Sequence, residues 1–274
     1  MKRSLLLILC LLLSLRPASA QSRQVPDSLR LARLDSLLVK FYSALERDDN
    51  DRKTAEFNYL IASCKDSLTR QHVAMEILDH YSNHVRVMGE EAVAIALYDK
   101  WVASGLVKPR DEWEQMNLDL FASFNRNSLV GMQAPKITLR RPGGGKELMP
   151  AGGRVSVIFF YDTSCGKCRL ESQVMPMIIN KVEFPLDFYA VYAGTDRKQW
   201  RDFRKGFRFK NRNVKLHHLW DPEIDSDYQR MYGVTGTPRL FVVLEDGEII
   251  GRKLEVDNLQ QIFHYIGISY GKPE

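Results

Sequence analysis

Apolar positions along this 274-residue chain fall into two periodicities, and the change comes near Asn127. From Ser28 to about Phe124, Leu31, Leu34, Leu37, Leu38 and Phe41 recur at spacings of three and four, which places them on one stripe of a 3.6-residue helix. Comparable stripes run through Phe57, Leu60, Ile61 and Cys64, through Val73, Ile77 and Tyr81, and through Val93, Leu97 and Trp101. Polar or glycine-marked breaks separate them at Asp48 to Asp51, at Gly89 and at Gly105 to Pro109. The pattern predicts an all-helical domain of about five helices, with no fixed repeat period.

Beyond Asn127 the chain reads differently. "VGMQAPKITL" is short, extended and proline-marked, and "RPGGGKELMPAGGR" is rich in turn formers. Four apolar runs read as buried strands: Val155 to Tyr161, Leu186 to Tyr192, Lys215 to Leu219, and Arg239 to Leu244. Helical patterns follow at Arg169 to Val182, Arg197 to Phe207, Ile224 to Tyr232 and Asn258 to Ile266. Alternating strands and helices predict an α/β domain, closed by a hairpin at Asp246-Gly247. The expected organisation is a leader over 1–20, a helical domain over 21–129 and an α/β domain over 130–274.

The leader rests on Lys2 and Arg3, an apolar run from Leu5 to Leu15, and the small residues Ala18-Ser-Ala20. Eleven apolar residues are too few to cross a bilayer core, so the expectation is export, to the periplasm or another extracytoplasmic space, with no stable membrane span. The chain carries 39 basic and 34 acidic residues. Loss of Lys2, Arg3 and Arg16 with the leader leaves 36 against 34, a charge of +2 that implies no polyanionic partner. Cys64, Cys165 and Cys168 remain, too few for a disulfide-stapled scaffold, so folding rests on buried apolar surface.

Cys165 and Cys168 carry the candidate chemistry. They stand at i and i+3 where a predicted strand passes into a predicted helix. A thiolate attacks disulfides, a helix N-terminus favours the thiolate of the first cysteine, and the second is placed to close on it. Lys167 adds positive charge. A zinc site would need a second close-spaced ligand pair, and haem attachment would need His where Arg169 stands. The pair therefore reads as redox-active, with no metal and no cofactor.

Together with "YGVTGTPRLFVV" (Tyr232 to Val243) some seventy residues later, the C-x-x-C pair resembles the thioredoxin fold. "GMQAPKITL" is similar to the entry strand of TlpA/ResA-type exported thiol-disulfide oxidoreductases and their peroxiredoxin relatives. The resemblance covers about Val130 to Ile268. It implies that Cys165 attacks and Cys168 resolves, that Thr237-Pro238 is a cis bond facing the pair and binding substrate backbone, and that Glu171 lies near the site and takes part in its acid-base chemistry. An exposed Glu171 pairing with Lys167 at i and i+4 is the competing reading. The sequence departs from the family pattern at Ser164, where tryptophan is usual, at Phe159, which matches a buried acid, and at Gln173, which matches a helix-kinking proline. A peroxiredoxin would place threonine and proline where Asp162 and Ile158 stand, which leaves peroxidase activity as a weaker alternative.

The implied partners are protein thiols or disulfides and an unidentified electron donor. A different class also fits: a partner-binding module in which the helical half selects a partner, or forms a homodimer, and the cysteine pair senses redox state. The segment Arg197 to Lys215 holds nine basic residues and one acid, Asp202. Helical spacing puts Trp200, Phe203 and Phe207 on the core side and Arg197, Arg201, Arg204 and Arg208 on a solvated ridge, a docking surface for acidic partners rather than for nucleic acid. His80 and His84 read as surface residues and "PGGGKE" as a hairpin turn. Cys64 reads as a small buried hydrophobe.

Overall fold

The protein was analysed as a computed structural model that describes residues 26–84 and 87–270. The expected leader over 1–20 lies outside the described residues. The chain divides into two compact units, 1–122 and 123–274.

The first unit is helical. Its elements are α1 (Asp27–Leu45), α2 (Asn50–Ser63), α3 (Ser67–Asn83), α4 (Glu91–Leu97), which passes into a π-helical turn over Tyr98–Val102, and α5 (Glu112–Asn125), whose last residues enter the second unit. Local chemistry sets the starts: Asp49 caps α2 by accepting from the Arg52 amide at 2.7 Å, and Asp66 caps α3 from Thr69 at 2.8 Å. The predicted stripes converge, with Phe41, Phe57, Ile61, Cys64, Val73, Ile77, Tyr81, Val93 and Leu97 buried in one cluster. His80 stacks on Tyr42 and His84 pairs with Asp79 at 3.3 Å.

Periodicity gives no hint of one feature of this core. Lys53, 2% exposed, donates to Glu90 Oε1 at 2.7 Å and to the Glu46 carbonyl at 3.2 Å. Glu90, 6% exposed, accepts from the Val87 amide through its second oxygen at 3.2 Å.

The second unit is a seven-stranded sheet between helical layers. Its strands are β1 (Ile137–Arg140), β2 (Lys146–Met149), β3 (Val155–Tyr161), β4 (Leu186–Tyr192), β5 (Val214–Trp220), β6 (Arg239–Val243) and β7 (Ile249–Gly251), in the order β2-β1-β5-β4-β3-β6-β7. β3, β4 and β5 are parallel, while β6 runs antiparallel to β3. Both central strands are buried at every position, which is why they read as apolar runs interrupted only by Ser156 and Asp187. One face packs against α6 (Gly166–Ile179), α7 (Arg197–Gly206) and α9 (Val256–Tyr270). The other meets α8 (Tyr228–Tyr232), and Ile137, Leu139 and Met149 of β1 and β2 join the same apolar cluster. "PGGGKE" is the turn of that hairpin, with Gly143, Gly144 and Gly145 all at positive φ.

Helix α8 is shorter than the predicted Ile224 to Tyr232. Ile224 and Asp227 adopt left-handed φ of 57° and 54°, and Asp221 accepts from the amides of Asp225 and Ser226, so the first turn is held as a loop. Helix α6 begins three residues before the predicted Arg169, because Cys165 itself caps it.

Lys53→Met should leave the Glu90 carboxylate buried without its cation and lower stability by about 3 kcal/mol or more. Lys53→Met combined with Glu90→Leu should recover most of that loss, as read by chemical denaturation of the two variants.

Candidate active site

The site forms where β3 ends. Asp162 organises the turn: its Oδ1 accepts from the Ser164 amide at 2.7 Å and the Ser164 hydroxyl at 2.6 Å, and its carbonyl accepts from the Cys165 amide at 3.2 Å. Arg169 reaches back from α6 to the carbonyls of Thr163 (3.1 Å) and Ser164 (3.2 Å), and Thr163 is hydrogen-bonded to Gln199 of α7. Cys165 is thereby fixed as the N-cap residue of α6, a position normally held by an oxygen-bearing side chain. Its sulfur accepts from the Cys168 amide at 3.2 Å.

The antiparallel register of β3 and β6 pairs Phe160 with Arg239, which brings the start of β6 to the same end of the sheet. The Thr237-Pro238 bond is cis, and the Cys165 thiol donates to the Thr237 carbonyl at 3.4 Å. Arg239 holds this loop, donating to the Pro238 carbonyl at 3.3 Å and to Thr235 Oγ1 at 3.4 Å. Three sequence-selected residues, Cys165, Cys168 and Thr237, are thus in direct contact, with Pro238 adjoining.

The two free thiols differ in their surroundings. Cys165 is half-buried and Cys168 is 1% exposed. Burial opposes ionisation of Cys165, but hydrogen bonds from the Cys168 thiol and amide outweigh it and hold the Cys165 thiol below its ordinary range. Cys168 is pushed up to about 12 by burial and by giving its proton toward Cys165. One sulfur is prepared as a thiolate while the other keeps its proton.

Glu171 lies one turn beyond Cys168 on α6 and is 5% exposed, so the reading of it as an exposed surface partner does not hold. Lys167 stands 4.0 Å from its Oε1 but makes its short contact, 2.6 Å, with Glu255. Both Glu171 oxygens are buried, with the Glu255 carboxyl facing them. Burial raises its proton affinity, Lys167 opposes this, and the carboxylates of Glu255 and Asp257 add to it, so the group sits at about 7. Phe159, at the position of the family's buried acid, is packed in the core against Tyr161, so β3 brings no carboxylate beneath the cysteines.

Three contributors escaped the sequence reading: Asp162, Arg239 and Glu255. Asp162 and Arg239 adjoin the two motifs and could have been singled out by position. Glu255 is 88 residues from Lys167 and carries no local signal.

Fold and site geometry define residues 123–274 as a thioredoxin-like domain. Residues 129–263 match the Redoxin family model. Among solved structures, a thioredoxin-like protein from Bacteroides caccae shares the fold over 91% of this chain and 97% of its own, with a TM-score of 0.67 at 13% identity. The thioredoxin domain of a thiol-disulfide oxidoreductase from Bacteroides vulgatus aligns at 18% identity over 50% of this chain and 96% of its own, with a TM-score of 0.44. A thiol:disulfide interchange protein from a Bacteroides species aligns at 18% identity over 54% and 94%, with a TM-score of 0.43. No curated protein matches the chain.

Glu171 carries a pH-dependence whose sign follows from its raised proton affinity. Its folded-state value of about 7 exceeds the ordinary 4.5, so its contribution to stability is fully present below 4.5 and lost as pH rises through 7. Glu171→Gln, which mimics the protonated group, should therefore leave thermal stability unchanged at about pH 4 and raise it at about pH 8, by at most about 3 kcal/mol. A variant equally or less stable at both pH values would remove the buried-acid assignment.

Proposed function

We propose that this protein is an exported thiol-disulfide oxidoreductase that reduces protein disulfides through Cys165 and Cys168. The observation that carries the reading is the split between the two sulfurs: Cys165 caps α6, with its proton affinity lowered, and Cys168 lies buried behind it, with its proton affinity raised. The Cys165 thiolate attacks one sulfur of a substrate disulfide, the substrate S–S bond breaks, and one substrate thiolate leaves. Cys168 then loses its proton and attacks the Cys165 sulfur. The second substrate thiolate is released, and the electron pair that reduced the substrate leaves a Cys165–Cys168 disulfide. A thiol donor outside the chain must restore it.

Thr237-Pro238 is assigned the substrate backbone, since its loop presents main chain directly against the attacking sulfur. Glu171, near neutrality in its proton affinity, suits proton transfer as Cys168 is activated. Asp162 occupies the place of the peroxidatic threonine and is engaged in the turn, which disfavours a peroxidase. Export rests on the first twenty residues of the sequence, and no described helix is long and apolar enough to cross a membrane.

For the helical unit a homodimer interface is the reading with most support. Trp113, Met116 and Leu120 lie at i, i+3 and i+7 on α5 and are exposed at 68%, 42% and 49%. Sedimentation of the full mature chain should give a dimer, and Trp113→Glu with Leu120→Glu should give a monomer.

Cys165→Ser should abolish reduction of insulin by the protein with a dithiol donor, while Cys168→Ser should accumulate mixed disulfides visible on a non-reducing gel. Equal activity in the two single mutants would overturn the division of labour.

A further inference from the structure

The basic stretch of α7 does not form an isolated ridge. Arg201, Arg204 and Lys205, at i, i+3 and i+4 on α7, and Arg208 just past its C-terminus form one wall of an open cleft of about 450 Å3. Val214, Leu216 and His218, alternate residues of β5, form the opposite wall, and none of the residues lining the cleft is acidic. Lys205 is paired with Asp202 at 2.9 Å, and Arg204 lies over the Trp200 ring at 4.7 Å. Arg201, Arg204 and Arg208 hold no salt bridge among the described residues. The field they create is felt at His218, where burial, then Arg204 and Arg208, depress proton affinity to about 4. Its imidazole is neutral, and Nδ1 is buried without a hydrogen-bond partner.

The same wall belongs to an open sheet edge. β5 pairs with β4 along its whole length, from Val214 to Trp220. On its other side, among the described residues, its backbone pairs with β1 only where Trp220 meets Arg140, while Pro142 of the hairpin turn lines the cleft with His218 and Glu147 of β2 is hydrogen-bonded to His217, which leaves Val214–Leu216 as the open part of the edge. The stretch from Val214 to His218 is partly exposed, unlike the fully buried β3 and β4. An unpaired edge offers a row of main-chain donors and acceptors to an incoming strand, and the adjoining cations select the charge of its side chains.

We propose that the β5 edge and the α7 cleft together bind an extended acidic peptide segment, which adds as a strand beside Val214–Leu216 and places its carboxylates on Arg201, Arg204 and Arg208. Its carboxylates project on the face to which Val214, Leu216 and His218 also point, and its alternate side chains project on the opposite face. The surface is formed by residues other than the cysteine pair and Thr237-Pro238, so it serves as a docking site for a partner chain irrespective of the thiol chemistry.

The test uses the full chain and labelled peptides of about eight residues, long enough for one strand, with alternating Glu and Val or alternating Lys and Val. The Glu peptide should bind in fluorescence anisotropy, weaken about tenfold or more in about 0.5 M salt, and slow amide exchange across residues 214–216. Arg201→Gln with Arg208→Gln should weaken it about tenfold with unchanged circular dichroism and thermal unfolding, and N-methylation of alternate peptide amides should abolish binding. Absence of binding, equal binding of the Lys peptide, or binding that leaves the 214–216 amides unprotected would each overturn the proposal. Tripolyphosphate binding as tightly as the Glu peptide, again without amide protection, would assign the cleft to small anions instead.

Discussion

The site depends on the position of β3 in the sheet. This strand is buried on both faces, parallel to β4 and antiparallel to β6. A strand leaving the sheet at one end therefore meets a strand entering it at the same end. The chain that follows β3 delivers Cys165, and the chain that precedes β6 delivers Thr237 and Pro238. The sulfur and the carbonyl that meet at 3.4 Å are 72 residues apart, and the sheet register brings them together. Slipping that register by one residue would exchange Leu240 and Val242, packed on one face, with Phe241 and Val243, packed on the other, so side-chain fit in the two cores also fixes the site geometry.

Within that frame, proton affinity is distributed by burial and hydrogen bonding rather than by a strongly charged neighbour of the sulfurs. The N-cap position supplies Cys165 with the Cys168 amide, and the helix dipole acts in the same direction. Cys168, on the first turn and facing the core, pays for its burial by holding its proton. Lys167 could have been the cation for either cysteine or for Glu171. Glu255 takes its short contact instead, and Glu171 is left buried near neutrality.

A second consequence of topology lies at the β5 end of the same face of the sheet. Because the β1–β2 hairpin pairs its backbone with β5 only at Arg140 and Trp220 among the described residues, the Val214–Leu216 end of β5 lies beside the most basic helix without a backbone partner on that side. Trp200 buries its side of α7 and Phe207 is buried just past its end, while Arg201, Arg204 and Lys205 line the cleft against β5. The same amphipathic pattern therefore packs the core and charges the cleft.

Much of this was legible in the order of residues. Stripes at three and four placed the helices of the first unit, and predominantly apolar runs placed β3, β4 and β6, since a strand buried on both faces is apolar at most of its positions. The i, i+3 cysteines at a strand-to-helix junction and the Thr-Pro pair marked the site, because their chemistry is set by backbone position close to them in the chain. Glu171 resisted the same treatment: a glutamate on a helix looks alike whether solvent or α9 covers it, and only packing decided that it is buried. The Lys53–Glu90 pair, the Lys167–Glu255 contact and the open edge of β5 were likewise decided by tertiary structure. Each joins segments far apart in sequence, and electrostatic and edge contacts of that kind impose no period on the chain that forms them.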